Sequence, residues 1–291
     1  MILVVAATPS VALPTIEALI KDHEVTVVTQ PDRPAGRGKK IRPSDVGLAY
    51  PQSLKPETEA ELVEILSGSD LLITIGYGRI LKTSTLATPK FGGINLHFSL
   101  LPKWRGAAPV QRCIEAGDKV SGVTVFQMDS GMDTGPIWQQ SEFKIPYGMN
   151  SLELFDALSK IGVVAVQKTL DKIKEGVVPQ PQTGTATIAA KVTKDECRID
   201  WHSDAESIIR KIKAFSFNPG VFSFIKGEQI KISDARLSDS KLAPGALNSK
   251  GEVGCGHGSI QLLLVTPAGK RTMSVSDWLN GFKAQDGDKF E

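Results

Sequence analysis

Cysteine is scarce and scattered in this chain. The three present, Cys113, Cys197 and Cys255, lie far apart with neither a Cys-x-x-Cys pair nor a Cys/His ligand spacing. This argues against a zinc site and against a disulfide framework of the secreted kind, and it points to a reducing compartment. Long hydrophobic runs are also missing. Residues 1–7 are apolar but short and lack a basic flank, and no later stretch reaches about 18 apolar residues, so neither a signal sequence nor a membrane span is expected and a cytoplasmic protein is the default. Charge of one sign is not in excess: 34 Lys and Arg stand against 32 Asp and Glu, a formal net charge of +2. No global field announces a nucleic-acid partner, and any such contact has to come from local basic clusters. The GxGxxG turn that dinucleotide-binding domains place after their first strand is absent, since Ala6-Ala7-Thr8-Pro9 stands there, and no Walker A lysine loop occurs elsewhere.

What is present reads as two domains, because 291 residues exceed the usual single-domain size. The opening is β-α-β: a short apolar run over 2–7, an amphipathic stretch over about 10–21 and a β-branched run over 24–29, the unit that builds a parallel sheet. Further strands are expected over 71–75, 93–97, 121–128 and 136–142, and helices over 57–66, 109–116 and 150–175, the last with Leu152, Phe155, Leu158, Val163, Val166, Leu170 and Ile173 at helical spacing. Residues 177–190 are rich in Pro, Gln, Thr and Gly without periodicity, which suits a linker. After one helical segment over 205–215 come short alternating runs separated by Gly and Pro, the pattern of a small antiparallel barrel. The fold expected is therefore α/β: a Rossmann-like, mostly parallel sheet domain over 1–177, a linker over 178–203, and an OB-like small β-barrel over 204–291.

The chemistry concentrates in three residues. Asn95 and His97 stand two apart on a strand and share a face, at the carboxyl end where α/β proteins bind ligands. Asp133 follows in a glycine-bounded loop, DSGMDTG (129–135). An amide that donates, an imidazole that donates or relays a proton near neutral pH and a carboxylate that orients it form a set for acyl transfer to an amine without a metal. A second feature is a run of Arg33, Arg37, Lys39, Lys40 and Arg42 among Pro31, Pro34, Gly36, Gly38 and Pro43. It is a charged, helix-averse segment after the second strand, suited to gripping phosphates and base edges at an RNA end. Gly76-Tyr77-Gly78 is a nonspecific tight turn where backbone can approach a flat ligand.

The chain resembles the methionyl-tRNA formyltransferases almost end to end. The resemblance rests on QPDRPAGRGKK (30–40), INLHFSLLPKWRGAAPVQR (94–112), GVTVFQMDSGMDTG (122–135), RIDW (198–201) and PAGKR (267–271). It implies that Asn95, His97 and Asp133 are catalytic and that 10-formyltetrahydrofolate is the formyl donor. The donor would lie against Ser99, Leu100, Leu101 and Pro102, with Gly76, Tyr77, Gly78, Ile80, Leu81 and Met128 lining the pterin pocket. It further implies that the basic segment enters the acceptor stem of initiator tRNA, with Arg37 leading. The C-terminal barrel is expected to add RNA-backbone contacts without contributing to chemistry, with Lys211, Lys213, Lys231 and Arg271 as candidates. A monomer without membrane partner is the expectation. HxSLLP with DxGxDTG fixes the reaction class more firmly than the acceptor, so a formyltransferase for an amino sugar nucleotide is the rival enzyme and an idle RNA-binding relative the rival non-enzyme. The chain departs from the family pattern at Ala7, at a short 45–51 stretch and at FSFNPG (215–220), none of which touches the catalytic trio.

Overall fold

The apolar run that opens the chain forms β1 (Ile2–Ala7), and the amphipathic stretch behind it forms α1 (Leu13–Asp22) before β2 (Glu24–Val28) returns parallel to β1. The structure, a computed structural model, describes residues 1–35, 40–283, 285 and 287–291. In the basic segment, β3 (Arg33–Ala35) pairs antiparallel with β4 (Lys40–Arg42), so the described part of a stretch expected to be only helix-averse is a hairpin. Next come α2 (Asp45–Ala49), capped by Ser44 Oγ accepting from Gly47 N, and α3 (Glu59–Leu66), capped by Thr58. Strand β5 (Leu71–Ile75) is buried along its whole length and pairs parallel with β1. After α4 (Thr83–Leu86), β6 (Gly93–His97) adds parallel to β5.

The chain then passes through β7 (Arg105–Gly106) and α5 (Pro109–Ala116) into β8 (Val120–Gln127) and β9 (Ile137–Lys144). Both join the sheet antiparallel, giving the order β2-β1-β5-β6-β8-β9. The inner strands β1, β5, β6 and β8 are buried over most of their length, whereas β2 is buried only at its end and β9 nowhere fully, as suits the two edges. Helix α6 (Ser151–Lys174) follows, and Phe155 on it packs edge-on against Phe98, just past β6, with ring centroids 5.8 Å apart. The stretch read as a linker contains β10 (Ile188–Ala189), which pairs parallel with β7.

Two compact units emerge. The first comprises Met1–Pro109, Val120–Lys144 and Leu154–Ala189; the second comprises Val110–Lys119, Ile145–Glu153 and Ala190–Glu291. Within the second, α7 (Ala205–Phe215) precedes β11 (Phe222–Ile225), β12 (Glu228–Ser238), β13 (Glu252–Gly254), β14 (Ser259–Pro267), β15 (Met273–Ser274) and α8 (Val275–Phe282). The strands form one antiparallel sheet, ordered β11-β12-β14-β13 with β15 on β14, and an irregularity in β12 at Ile232–Ala235 bends it into a half-barrel. Trp201, Phe290 and Trp278 stack in its core. Arg112 of α5 pairs with Glu196 at 2.9 Å and lies over the Phe215 ring, so α5 is tied into this unit. Lys213 is paired with Asp234 at 2.7 Å and Lys211 donates to the Glu196 carbonyl, which commits both to intramolecular contacts and leaves Lys231 and Arg271 exposed. Among the described residues no helix is long and apolar enough to cross a membrane.

Candidate active site

Strand β6 places Asn95 half-buried and His97 buried. On the neighbouring β5, Thr74 Oγ1 donates to Asn95 Oδ1 at 2.8 Å. Fixing the amide oxygen in this way turns the Nδ2 hydrogens outward as donors. His97 Nε2 donates to the carbonyl oxygen of Trp104 at 2.8 Å, which sets the tautomer and leaves Nδ1 as the chemically available nitrogen. That Nδ1 faces Asp133 Oδ2 at 3.7 Å, a separation longer than a formed hydrogen bond and of the kind that tightens when substrate arrives.

Asp133 sits in the β8–β9 connection with φ +55°, a left-handed backbone that Asp and Asn tolerate better than other side chains. Its Oδ2 accepts from Gly106 N at 2.7 Å. Gly106 itself has φ +117°, and a Cβ there would lie 2.8 Å from the Ala189 carbonyl oxygen, so only glycine fits. Asp129 closes the loop from the other side, accepting from Gly131 N at 3.0 Å and from Thr134 Oγ1 at 2.8 Å. A Cβ on Gly135 would collide with the Gln127 carbonyl. Asp129 of DSGMDTG therefore builds the loop that presents Asp133.

The expected donor-site residues divide by exposure. Ser99 and Leu101 are buried and hold their turn: Ser99 Oγ donates to the Lys103 carbonyl at 2.6 Å, and Leu101 N donates to Thr124 Oγ1 at 3.1 Å. Leu100 and Pro102 are half-buried. Tyr77 and Leu81 belong to an apolar cluster with Val4, Val28, Leu62 and Leu66, against which Met128 packs. Burial pushes the Tyr77 hydroxyl above the ordinary tyrosine range, so it stays protonated. Gly76, Gly78 and Ile80 are exposed, Ile80 almost completely at 97%.

In the basic segment, Arg33 Nη2 donates to Gln30 Oε1 at 3.0 Å, and Gln30 Nε2 in turn donates to the Tyr77 carbonyl at 3.1 Å. Arg33, Arg42, Gln30, Thr8 and Gly76 line a depression of about 260 Å³. Lys40 is exposed. Arg37 and Lys39 lie outside the described residues.

A family model described as formyl transferase matches residues 1–169, and another, described as formyl transferase, C-terminal domain, matches residues 191–283. The chain belongs to the formyl transferase family. A methionyl-tRNA formyltransferase of Thermodesulfovibrio yellowstonii is 37% identical over 295 residues, covering 96% of this chain and 96% of the relative. One of Stutzerimonas stutzeri is 39% identical over 301 residues, covering 97% of this chain and 95% of the relative. Among solved structures, HypX from Aquifex aeolicus in complex with tetrahydrofolic acid matches with a TM-score of 0.70 at 18% identity, over 97% of this chain and 47% of that one. The chain thus spans about half the length of that protein, and the likeness is one of fold.

Several residues that shape this formyltransferase's site escape a reading by motif. Thr74 is one, because its hydroxyl acts through Asn95 and a threonine in a buried strand looks like ordinary β-branched filling. Thr74→Val keeps the shape and removes the hydroxyl that orients the amide. Turnover is expected to fall about tenfold, and Asn95 Oδ1, left without its donor, costs about 1–3 kcal/mol of stability, measured as kcat for formyl transfer beside a melting curve. An unchanged kcat would mean that Asn95 needs no fixed orientation.

Proposed function

We propose that this formyltransferase moves the formyl group of 10-formyltetrahydrofolate onto the α-amino group of initiator methionyl-tRNA, releasing tetrahydrofolate and formyl-methionyl-tRNA. The observation that carries the reading is the arrangement at the end of β6: Asn95 with its donors turned outward, His97 with Nδ1 available and Asp133 facing it at 3.7 Å. Full-length likeness to methionyl-tRNA formyltransferases supports the choice of acceptor.

The neutral amine attacks the formyl carbon, a C–N bond forms and the carbonyl oxygen becomes an oxyanion. Asn95 Nδ2 donates to it, which counts most in the transition state because that is where the charge develops. His97 Nδ1 takes the proton that the attacking nitrogen sheds. The imidazolium so formed lies beside Asp133, whose negative charge stabilises it. Collapse breaks the bond between the formyl carbon and N10 of the folate, and the proton held on Nδ1 passes to N10. The exposed backbone of Gly76 and Gly78, with Ile80 and the half-buried Met128, offers the apolar wall for the donor. Arg33, Lys40 and Arg42, with Arg37 and Lys39, supply the acceptor-end contacts. The setting is cytoplasmic and the active form a monomer.

The direct test offers 10-formyltetrahydrofolate with charged initiator tRNA, charged elongator tRNA or an amino sugar nucleotide. Formylation of the initiator species is expected, and selective formylation of the sugar would replace this reading with its rival. Two substitutions then separate readout from charge. Arg37→Ala should lower kcat/KM for initiator tRNA and shrink its advantage over elongator tRNA. Arg42→Ala should weaken both tRNAs together and lower the salt slope by about 1. Arg37→Ala with parent-like efficiency on initiator tRNA across a range of salt would return the segment to simple solvation.

A further inference from the structure

We infer that Gln182, in the stretch that follows α6, is a positioning residue for Asp133, so that this stretch is part of the catalytic apparatus. The inference rests on the formyl-transfer reading above.

The stretch is fastened at both ends to the first unit. Near its start, Ile137 N donates to the Gln180 carbonyl at 2.6 Å and Gln180 N donates back at 2.9 Å. Near its end, Arg105 N donates to the Thr187 carbonyl at 2.8 Å, Trp104 N to Thr187 Oγ1 at 2.9 Å and Ala107 N to the Ala189 carbonyl at 2.9 Å. Between these anchors, the half-buried Gln182 uses the whole bonding capacity of its amide. Nε2 donates to the carbonyls of Asp133 at 2.8 Å and Gly135 at 2.9 Å, and Oε1 accepts from Arg105 Nη2 at 2.7 Å and Nε at 3.2 Å. A surface glutamine serving solubility has no cause to make four hydrogen bonds to three residues.

Those partners are the ones that set the geometry of the trio. Asp133 holds a left-handed backbone, and its carbonyl direction is fixed by Gln182 while its carboxylate is fixed by Gly106. The three residues Trp104 to Gly106 supply the acceptor for His97 Nε2, the guanidinium that Gln182 grips and the donor to Asp133 Oδ2. Gln182 therefore bridges the loop that carries the carboxylate to the loop that orients the imidazole, without touching a reacting atom itself. Releasing it lets the two loops part, and a displacement of about 1 Å at the Nδ1 to Oδ2 separation is enough to cost about 100-fold in rate.

Gln182→Leu is the primary variant, measured by single-turnover formylation and by titration with the folate donor. The expected result is a 10- to 100-fold lower rate with donor affinity within about twofold of the parent. Gln182→Glu can still accept from Arg105 but sets a carboxylate oxygen, which cannot donate, against the Asp133 and Gly135 carbonyls, so it is expected to lose at least as much; it also serves if the leucine variant folds poorly. The deciding readout is the cycle with Asp133→Asn. If Gln182 works through Asp133, Gln182→Leu costs less than about threefold further in that background, whereas a merely structural role costs the same factor in both. Parent-like rates in Gln182→Leu or Gln182→Glu, or strict additivity in the cycle, overturn the inference. Failure of the parent protein to formylate charged initiator tRNA would instead overturn the functional reading, so the two failures are distinguishable.

Discussion

His97→Ala is expected to lower kcat/KM for formyl transfer by about 10³-fold or more while donor binding changes by less than about twofold. On the proposed mechanism the imidazole takes the proton, and its setting suits that role: a nitrogen with a lone pair, a tautomer held by the Trp104 carbonyl and a carboxylate facing that nitrogen. Proton transfer in the transition state is worth about 10²–10⁴ in rate, and asparagine in the same place can donate but cannot accept and return a proton. The cost to folding is small by comparison. Removing the ring takes away the hydrogen bond from His97 to the Trp104 carbonyl and empties a buried space against Phe126, together about 1–3 kcal/mol. Steady-state kinetics, a melting curve and a donor titration separate these effects. A folded His97→Ala protein that turns over within tenfold of the parent would remove the imidazole from the mechanism.

The parts of the site that could be read from the sequence are those whose signal is local. The β6 run states its own strand character, and its period of two puts Asn95 and His97 on one face. Asp133 was legible as a type of residue in a glycine-bounded loop. Its closeness to His97 was not, because that depends on how the β8–β9 connection is tied to Gly106 and to residue 182. Strand direction was equally hidden: β8 and β9 read as strands, but periodicity is the same for parallel and antiparallel pairing, so the antiparallel edge of the first sheet carries no local mark. Gln182 and Thr187 sit in PQPQTGTAT (179–187), a composition that in isolation suits a linker, since single hydrogen bonds to distant segments leave no period behind. Helix α8 was missed for a related reason. VSDWLNGF is short and contains Asn280 and Gly281, poor helix formers. It is held by the Ser274 cap and by Trp278 stacked on Phe282 at 4.8 Å, contacts that only the folded unit supplies. The Arg33 to Arg42 stretch illustrates the opposite case, where proline and glycine argued against a helix and the described residues form a hairpin.

Asp133→Asn and Asp133→Ala should both be severe for catalysis yet differ in stability, and that difference isolates charge from placement. Asparagine accepts a left-handed backbone and its Oδ1 can still take the hydrogen bond from Gly106 N. What it lacks is the negative charge beside His97 Nδ1, so the imidazolium that forms as the amine loses its proton is no longer stabilised. A fall in kcat of about 10²–10⁴ is expected, with the melting temperature close to that of the parent. Alanine loses the same charge and adds two structural costs, a left-handed Ala and a half-buried Gly106 N–H without its acceptor, about 1–3 kcal/mol together. The alanine variant should therefore melt several degrees lower while its kcat falls by a similar factor. If asparagine instead kept most of the activity, Asp133 would act by holding Gly106 and the loop in place, and the electrostatic part of the mechanism would have to be given up.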